Sequence, residues 1–135
     1  MIADYVKLGN KLYNVRVIGL ERSFKIKQSS NSGTALAVGS PEILDPLGTF
    51  ISYKVTFAPI VGYESDYDKL WELVIYPYTD GIDVDIVYNQ TKIQFKAQIQ
   101  QSGWQQLKKI NRDSGKNCWG ELPLELTPLK AQVLP

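Results

Sequence analysis

The chain has 135 residues, 44% of them hydrophobic and 21% charged, with Lys+Arg 15 against Asp+Glu 14. That is the length and balance of one globular domain, and its near-neutral charge provides no global field for nucleic acid or an anionic membrane surface. Histidine is absent and cysteine occurs once, at Cys118, so the usual zinc clusters, Ser-His-Asp triads, Cys-His dyads and internal disulfides are excluded.

The N-terminal Met1-Ile2-Ala3-Asp4-Tyr5 has no basic segment followed by an apolar one, and no run approaches the roughly 18 apolar residues of a membrane span. The expectation is synthesis and folding in a cytoplasm, without a membrane partner. Tyr13, Val15 and Val17 then hold alternate positions, but beyond Gly19 the apolar set moves to Leu20, Phe24 and Ile26. A one-residue change of register at a glycine predicts a β-bulge in a long early strand.

Residues 28 to 35 follow as a small, polar loop: Gln28-Ser29-Ser30-Asn31-Ser32-Gly33-Thr34. A plain surface loop is one reading. The other is an arm, centred on Ser29, Ser30, Asn31, Ser32 and Gly33, that orders only against a neighbouring subunit. Ile51, Tyr53, Val55 and Phe57 resume the alternation against Ser52, Lys54 and Thr56.

One segment departs from period two. Tyr67, Leu70, Trp71 and Val74 fall at i, i+3, i+4 and i+7, behind Ser65 as N-cap with Asp66 and Asp68 in the first turn, and Pro77 marks the end. The spacing predicts a single helix over about 65–75, with Trp71 packed under the sheet beside Tyr53, Phe57 and Phe95 as structural core.

Residues 79–89, TDGIDVDIVYN, resemble the acidic strand of chitinase-type glycoside hydrolases, whose catalytic glutamate would stand where this chain has Val87. The (β/α)8 barrel that carries such a strand needs about 250 residues. The expectation is therefore an inert run, with Asp83 and Asp85 about 7 Å apart on a solvent-facing strand side, within reach of Lys92 and Lys96 across a hairpin turned at Asn89-Gln90. Weak cation binding by the two aspartates is the alternative.

Ile93, Phe95, Ala97 and Ile99 alternate with Lys92, Gln94, Lys96 and Gln98 as a half-buried strand. Residues 104–110, WQQLKKI, fit a strand or a helical turn. Lys108, Lys109, Arg112 and Lys116 make a small basic patch near Trp104 and Trp119, a combination able to stack bases and neutralise phosphates. Four charges in a neutral protein are a weak nucleic-acid signal, and a solvated hairpin turned at Asp113-Ser114-Gly115 accounts for them as well. Cys118 reads as a small core hydrophobe. Leu122, Leu124 and Leu126 form a last strand in which Pro123 predicts an edge position or a bulge.

These elements give a mainly β domain spanning 1–135, with about seven to nine mostly antiparallel strands and one flanking helix. The whole chain also resembles small virion proteins from the tail modules of siphophages and prophages of Gram-positive bacteria. The resemblance rests on Glu21-Arg22-Ser23-Phe24, Asn31-Ser32-Gly33, Asp45 with Gly48-Thr49-Phe50, Tyr67 with Leu70, and Lys116-Asn117 before Trp119-Gly120. It implies a β-sandwich or β-barrel subunit similar to tail-tube and distal-tail proteins, assembling as a ring with itself and with other phage tail proteins. It implies no enzymatic activity, no cofactor and a place in the virion. The chain is short for a major tube subunit, so a tail-completion or baseplate-proximal ring stands equally open. A monomeric β-domain binding glycan or single-stranded nucleic acid is the competing expectation.

Overall fold

A computed structural model describes residues 6–28, 33–34, 42–43, 46–111 and 116–135. Among them are eight strands of three residues or more, one two-residue strand pair and a single helix. The elements are β1 (Val6–Leu8), β2 (Val15–Gln28), β3 (Gly33–Thr34), β4 (Glu42–Ile43), β5 (Pro46–Pro59), α1 (Glu64–Ile75), β6 (Ile82–Val87), β7 (Lys92–Ile99), β8 (Leu107–Asn111), β9 (Lys116–Trp119) and β10 (Leu122–Pro128). Six form one antiparallel sheet in the order β1-β6-β7-β10-β5-β2, and β3–β4 and β8–β9 are separate two-stranded pairs. The sheet does not close into a barrel: β1 and β2 are its edges.

One face of this sheet carries the core. Val6 and Leu8, Val15 and Val17, Ile51, Tyr53, Val55 and Phe57, Ile82, Val84 and Ile86, Ala97, and Leu122, Leu124 and Leu126 are buried there, and Tyr67 and Leu70 of α1 complete the cluster. The period-two pattern thus sorts each strand onto the expected side. The bulge falls where the glycine predicts it, between Val17 and Gly19, and it brings Leu20 opposite Val55 and Phe24 opposite Ile51. The apolar set therefore stays on the core side across the change of register.

Two local expectations need correction, and one open reading is settled. Helix α1 begins at Glu64 behind Tyr63, whose carbonyl accepts from the amides of Asp66 and Tyr67, and no side chain caps it. Ser65 lies inside the first turn, not at the cap. Asp66 is instead engaged by Asn14, which donates to its Oδ2 from both backbone N (3.1 Å) and Nδ2 (2.9 Å). The C-terminal boundary is as expected, since Tyr76 before Pro77 is extended (φ −68°, ψ 132°).

Residues 107–111 are strand, paired with β9. β10 is an interior strand between β7 and β5 and pairs with β5 without a register shift, although Pro123 predicts an edge position or a bulge. The proline is tolerated because β7 pairs only with Leu126, Thr127 and Pro128. Beside Pro123 the Gln100 side chain takes the place of a strand, donating to the Pro123 carbonyl (3.1 Å) and accepting from the Glu125 amide (2.7 Å). Locally the position has one ladder neighbour, so the missing N–H leaves no ladder bond unmade.

Of the four aromatic residues expected in the core, Tyr53 and Phe57 are buried, whereas Phe95 and Trp71 are half-buried and pack against the cluster. Phe95 stacks on Tyr53 with ring centroids 5.9 Å apart. The helix buries Tyr67 and Leu70 more deeply than Trp71. The Tyr67 hydroxyl reaches two backbone carbonyls, Gly120 at 2.5 Å and Phe57 at 3.3 Å, joining the helix to β5 and to the turn before β10.

Candidate functional site

The sequence-derived candidates do not converge on one site. Ser29, Ser30, Asn31, Ser32 and Arg112 lie outside the described residues. The Gly33 backbone pairs with Ile43 in β3–β4. Lys109 and Lys116 belong to the β8–β9 hairpin, where they stand opposite Cys118 and Asn111. Lys108 is exposed and donates from Nζ to Gln106 Oε1 at 3.3 Å.

Asp83 and Asp85 share a strand side, as the period requires. Asp83 Oδ2 accepts from Asn10 Nδ2 at 3.2 Å, and Asp85 Oδ2 accepts from Gln94 Nε2 at 3.3 Å. Lys96 stands opposite Asp83 in the ladder, yet the side chains that donate to the two carboxylates are the neutral amides of Asn10 and Gln94. Among the described residues no three His, Cys, Asp or Glu side chains group as metal ligands. No described helix is long and apolar enough to cross a membrane.

Three surface features do stand out. The first is the far half of the β2–β5 pair. The ladder runs from Val15–Pro59 to Gln28–Pro46, but the buried residues of β2 end at Val17. Beyond them Phe24 is 73% exposed and Ile26 is 51% exposed, although they lie on the core side of the sheet. Nine residues from Leu20 to Gln28 span about 30 Å at strand rise, which makes this an arm carrying apolar side chains into solvent. Leu47, Val133 and Leu134 are exposed at the same end.

The arm is braced at two points. Arg22 donates from Nη1 to the Tyr88 carbonyl (2.7 Å) and to Asn89 Oδ1 (2.9 Å), with its guanidinium over the Tyr88 ring, so β2 is tied to the tip of the β6–β7 hairpin. On β5, Gln132 pairs with Ile51 as a strand residue would: the Ile51 amide donates to Oε1, and Nε2 donates to the Ile51 carbonyl, both at 2.9 Å. Val133 then bridges Thr49. Gly48 permits this approach, since a Cβ there would stand 2.6 Å from Ala131 Cβ, and its φ of +145° disfavours any other residue.

The second feature is a cleft of about 580 Å³ beside the end of α1, walled by Trp71, Tyr76, Tyr78, Gln98, Gln101 and Ser102, with no charged residue in its lining. Burial raises the Tyr78 hydroxyl above its ordinary pKa. The third is a groove of about 440 Å³ between the β8–β9 hairpin and the outer side of β2 and β5. It brings Trp104 and Trp119 together with Lys108, as the sequence suggests, and adds Arg16 and Ile18, which only the fold could supply.

The strongest electrostatic perturbation is structural. Tyr67 is pushed up to about 12, chiefly by burial, with Cys118 and Glu121 adding to the rise and Gln105 opposing it. Burial also raises Tyr53, against the nearby Arg22, and Tyr13, with Tyr78 and Asp66 contributing. Asp66 is lowered, first by the Asn14 backbone N–H. Comparison with protein-family models, with curated proteins and with solved structures finds no match to this chain.

Proposed function

We propose that this chain is a non-enzymatic structural subunit of a phage tail, a tail-tube, tail-completion or baseplate-proximal ring that works by self-association and by docking to neighbouring tail proteins in the virion. The observation that carries the reading is the β2–β5 arm. Phe24 and Ile26 continue the apolar pattern of the core into solvent, where an isolated domain gains nothing from them, and a subunit interface would cover them. The resemblance to small siphophage tail proteins, with Arg22, Phe24, Gly48 and Thr49 among its matching residues, names the kind of assembly. Light scattering and negative-stain electron microscopy of the purified chain test it. Closed rings of more than two copies are the expected result, and a chain that never exceeds a dimer and is missing from purified particles overturns it.

The competing reading is a monomeric β-domain that binds glycan or single-stranded nucleic acid. The uncharged aromatic cleft of Trp71, Tyr76 and Tyr78 favours its glycan form, because aromatic faces and neutral amides suit sugars better than phosphates. Saturable quenching of tryptophan fluorescence by a neutral oligosaccharide, lost in Tyr76→Ala, would establish it over the tail reading.

A further inference from the structure

β2 is an edge strand of fourteen residues, and among the described residues no strand pairs with its outer side. It contains no proline, its two irregularities fall at Val17/Gly19 and Lys27/Gln28, and the stretch between them from Glu21 to Lys27 is regular and exposed, with Lys25 and Lys27 on its outer face. Natural edges of this length are ordinarily blunted, because a free row of N–H and C=O groups templates pairing with another chain. The sequence of this edge is also complementary to itself.

We propose that β2 pairs antiparallel with β2 of a second copy about a two-fold axis at Ser23, joining two six-stranded sheets into one. In such a pair, residue i stands opposite the residue numbered 46 minus i, and opposite residues share a face. Glu21 then meets Lys25 of the second copy and Lys25 meets its Glu21, with Ser23 on Ser23 between them. These side chains all lie on the outer face of the sheet, where Glu21 and Ser23 stand opposite Lys54 and Ser52 of β5.

On the core side Leu20 meets Ile26 twice, and Arg22, already held over the Tyr88 ring, meets Phe24 twice. The contact covers the two most exposed apolar side chains of the strand and matches both acids with bases. Neighbouring registers do worse. An axis at Arg22 sets that guanidinium against its own copy; an axis at Phe24 sets Phe24 on Phe24 and keeps a Glu21–Lys27 match, but it sets Ile26 against Arg22 and Leu20 against Gln28, so both Leu20–Ile26 pairs are lost.

This contact is isologous, whereas a ring needs a head-to-tail one, so the proposal does not rest on the tail reading. The two together would give a dihedral double ring. Sedimentation equilibrium of the full chain tests it. Glu21→Lys and Lys25→Glu each place like charges opposite each other twice and should weaken the dimer about ten-fold, while the double exchange E21K/K25E should restore it. As dilute monomers, K25E should melt with the parent chain, since Lys25 is exposed and stands opposite Phe50, whereas E21K and the double exchange set a lysine opposite Lys54 and should melt slightly lower.

In a Cys118→Ser background, Ser23→Cys should form an intermolecular disulfide under mild oxidation, because facing Cα atoms of the pair lie within disulfide range. A chain that is monomeric at every concentration overturns the proposal. So does a disulfide at Phe24→Cys in place of Ser23→Cys. Rings that ignore the charge reversals also overturn it and leave the tail reading standing. Dimers that obey the charge reversals but never grow larger keep this contact and remove the ring.

Discussion

The two halves of β2 obey one sequence rule and have opposite fates. Val15 and Val17 are buried at 3% and 7% exposure; Phe24 and Ile26, on the same side of the same strand, stand at 73% and 51%. Across the ladder, β5 stays buried as far as Ile51, the direct partner of Phe24. The difference is position in the sheet. Ile51 lies on an interior strand with Gln132 seated against its backbone, whereas Phe24 lies on the edge, beyond the reach of α1 and β1. Alternation specifies which face a residue takes, and only the tertiary arrangement decides whether anything sits on that face.

The largest test of this contrast compares two phenylalanines of the β2–β5 pair, Phe57 and Phe24. Phe57→Ala empties a site at 2% exposure and should cost about 3–5 kcal/mol, read from urea denaturation. The helix gives a second contrast. Leu70, fully buried, should cost about 2–5 kcal/mol on truncation to alanine. Trp71→Ala should cost less than Leu70→Ala despite the larger side chain, because Trp71 is half-buried beside the open cleft. A larger loss at Trp71 would make the indole, and not the Tyr67–Leu70 edge, the main anchor of α1.

Much of this architecture was legible in the residues. The alternation at Ile51–Phe57, Ile93–Ile99 and Leu122–Leu126, the bulge at Gly19, the β6–β7 turn and the helix before Pro77 each follow from local spacing, and local spacing is what a sequence exposes. Strand order was not legible, since nothing in Leu122–Pro128 announces that it lies between β5 and β7. Neither were the two glutamine side chains that stand in for strands, Gln100 beside Pro123 and Gln132 beside Ile51, because each acts on residues 23 to 81 positions away. The basic patch was half legible. Lys108 and the two tryptophans are close in the chain, but Arg16 reaches their groove only through the pairing of β2 with β5.

A smaller effect sharpens the contrast between buried and exposed tyrosines. Tyr67 has a folded pKa of about 12 against 10.0 in the unfolded chain, so its contribution is fully present below pH 10 and declines as pH rises from 10 through 12. Alkaline denaturation should therefore be steep in this window. Tyr67→Phe should flatten that dependence, and at pH 7 it should lose about 1 kcal/mol for the hydroxyl's bonds to Gly120 and Phe57. An unchanged alkaline limb would assign the dependence to Tyr13, Tyr53 or Tyr78, which burial also raises.

Gln132→Ala tests the brace on the arm. It removes two side-chain hydrogen bonds to the Ile51 backbone. About 1–2 kcal/mol is expected, because the strand groups left behind are only partly shielded from water. Hydrogen exchange at Ile51 should accelerate far more than at Val55, whose backbone is held by β10 and β2. Equal acceleration at both would mean that β5 opens as a unit and that the arm is not separable from the core.

The smallest expected effect is at Phe24. In the monomer its ring lies largely in water, so Phe24→Ser removes little that folding had buried, and the change should stay within about 0.5 kcal/mol. For a chain of this size that is a shift of about 2 °C in Tm. The measurement has to be made at a concentration where the chain is monomeric, since any association through β2 would add its own stabilisation to the parent. At higher concentration the two proteins should diverge, the parent gaining melting temperature with concentration and the Phe24→Ser chain gaining less. A large loss in the dilute monomer would show that something within the chain covers the arm, and Phe24 would then belong with Phe57 on the buried side of the comparison.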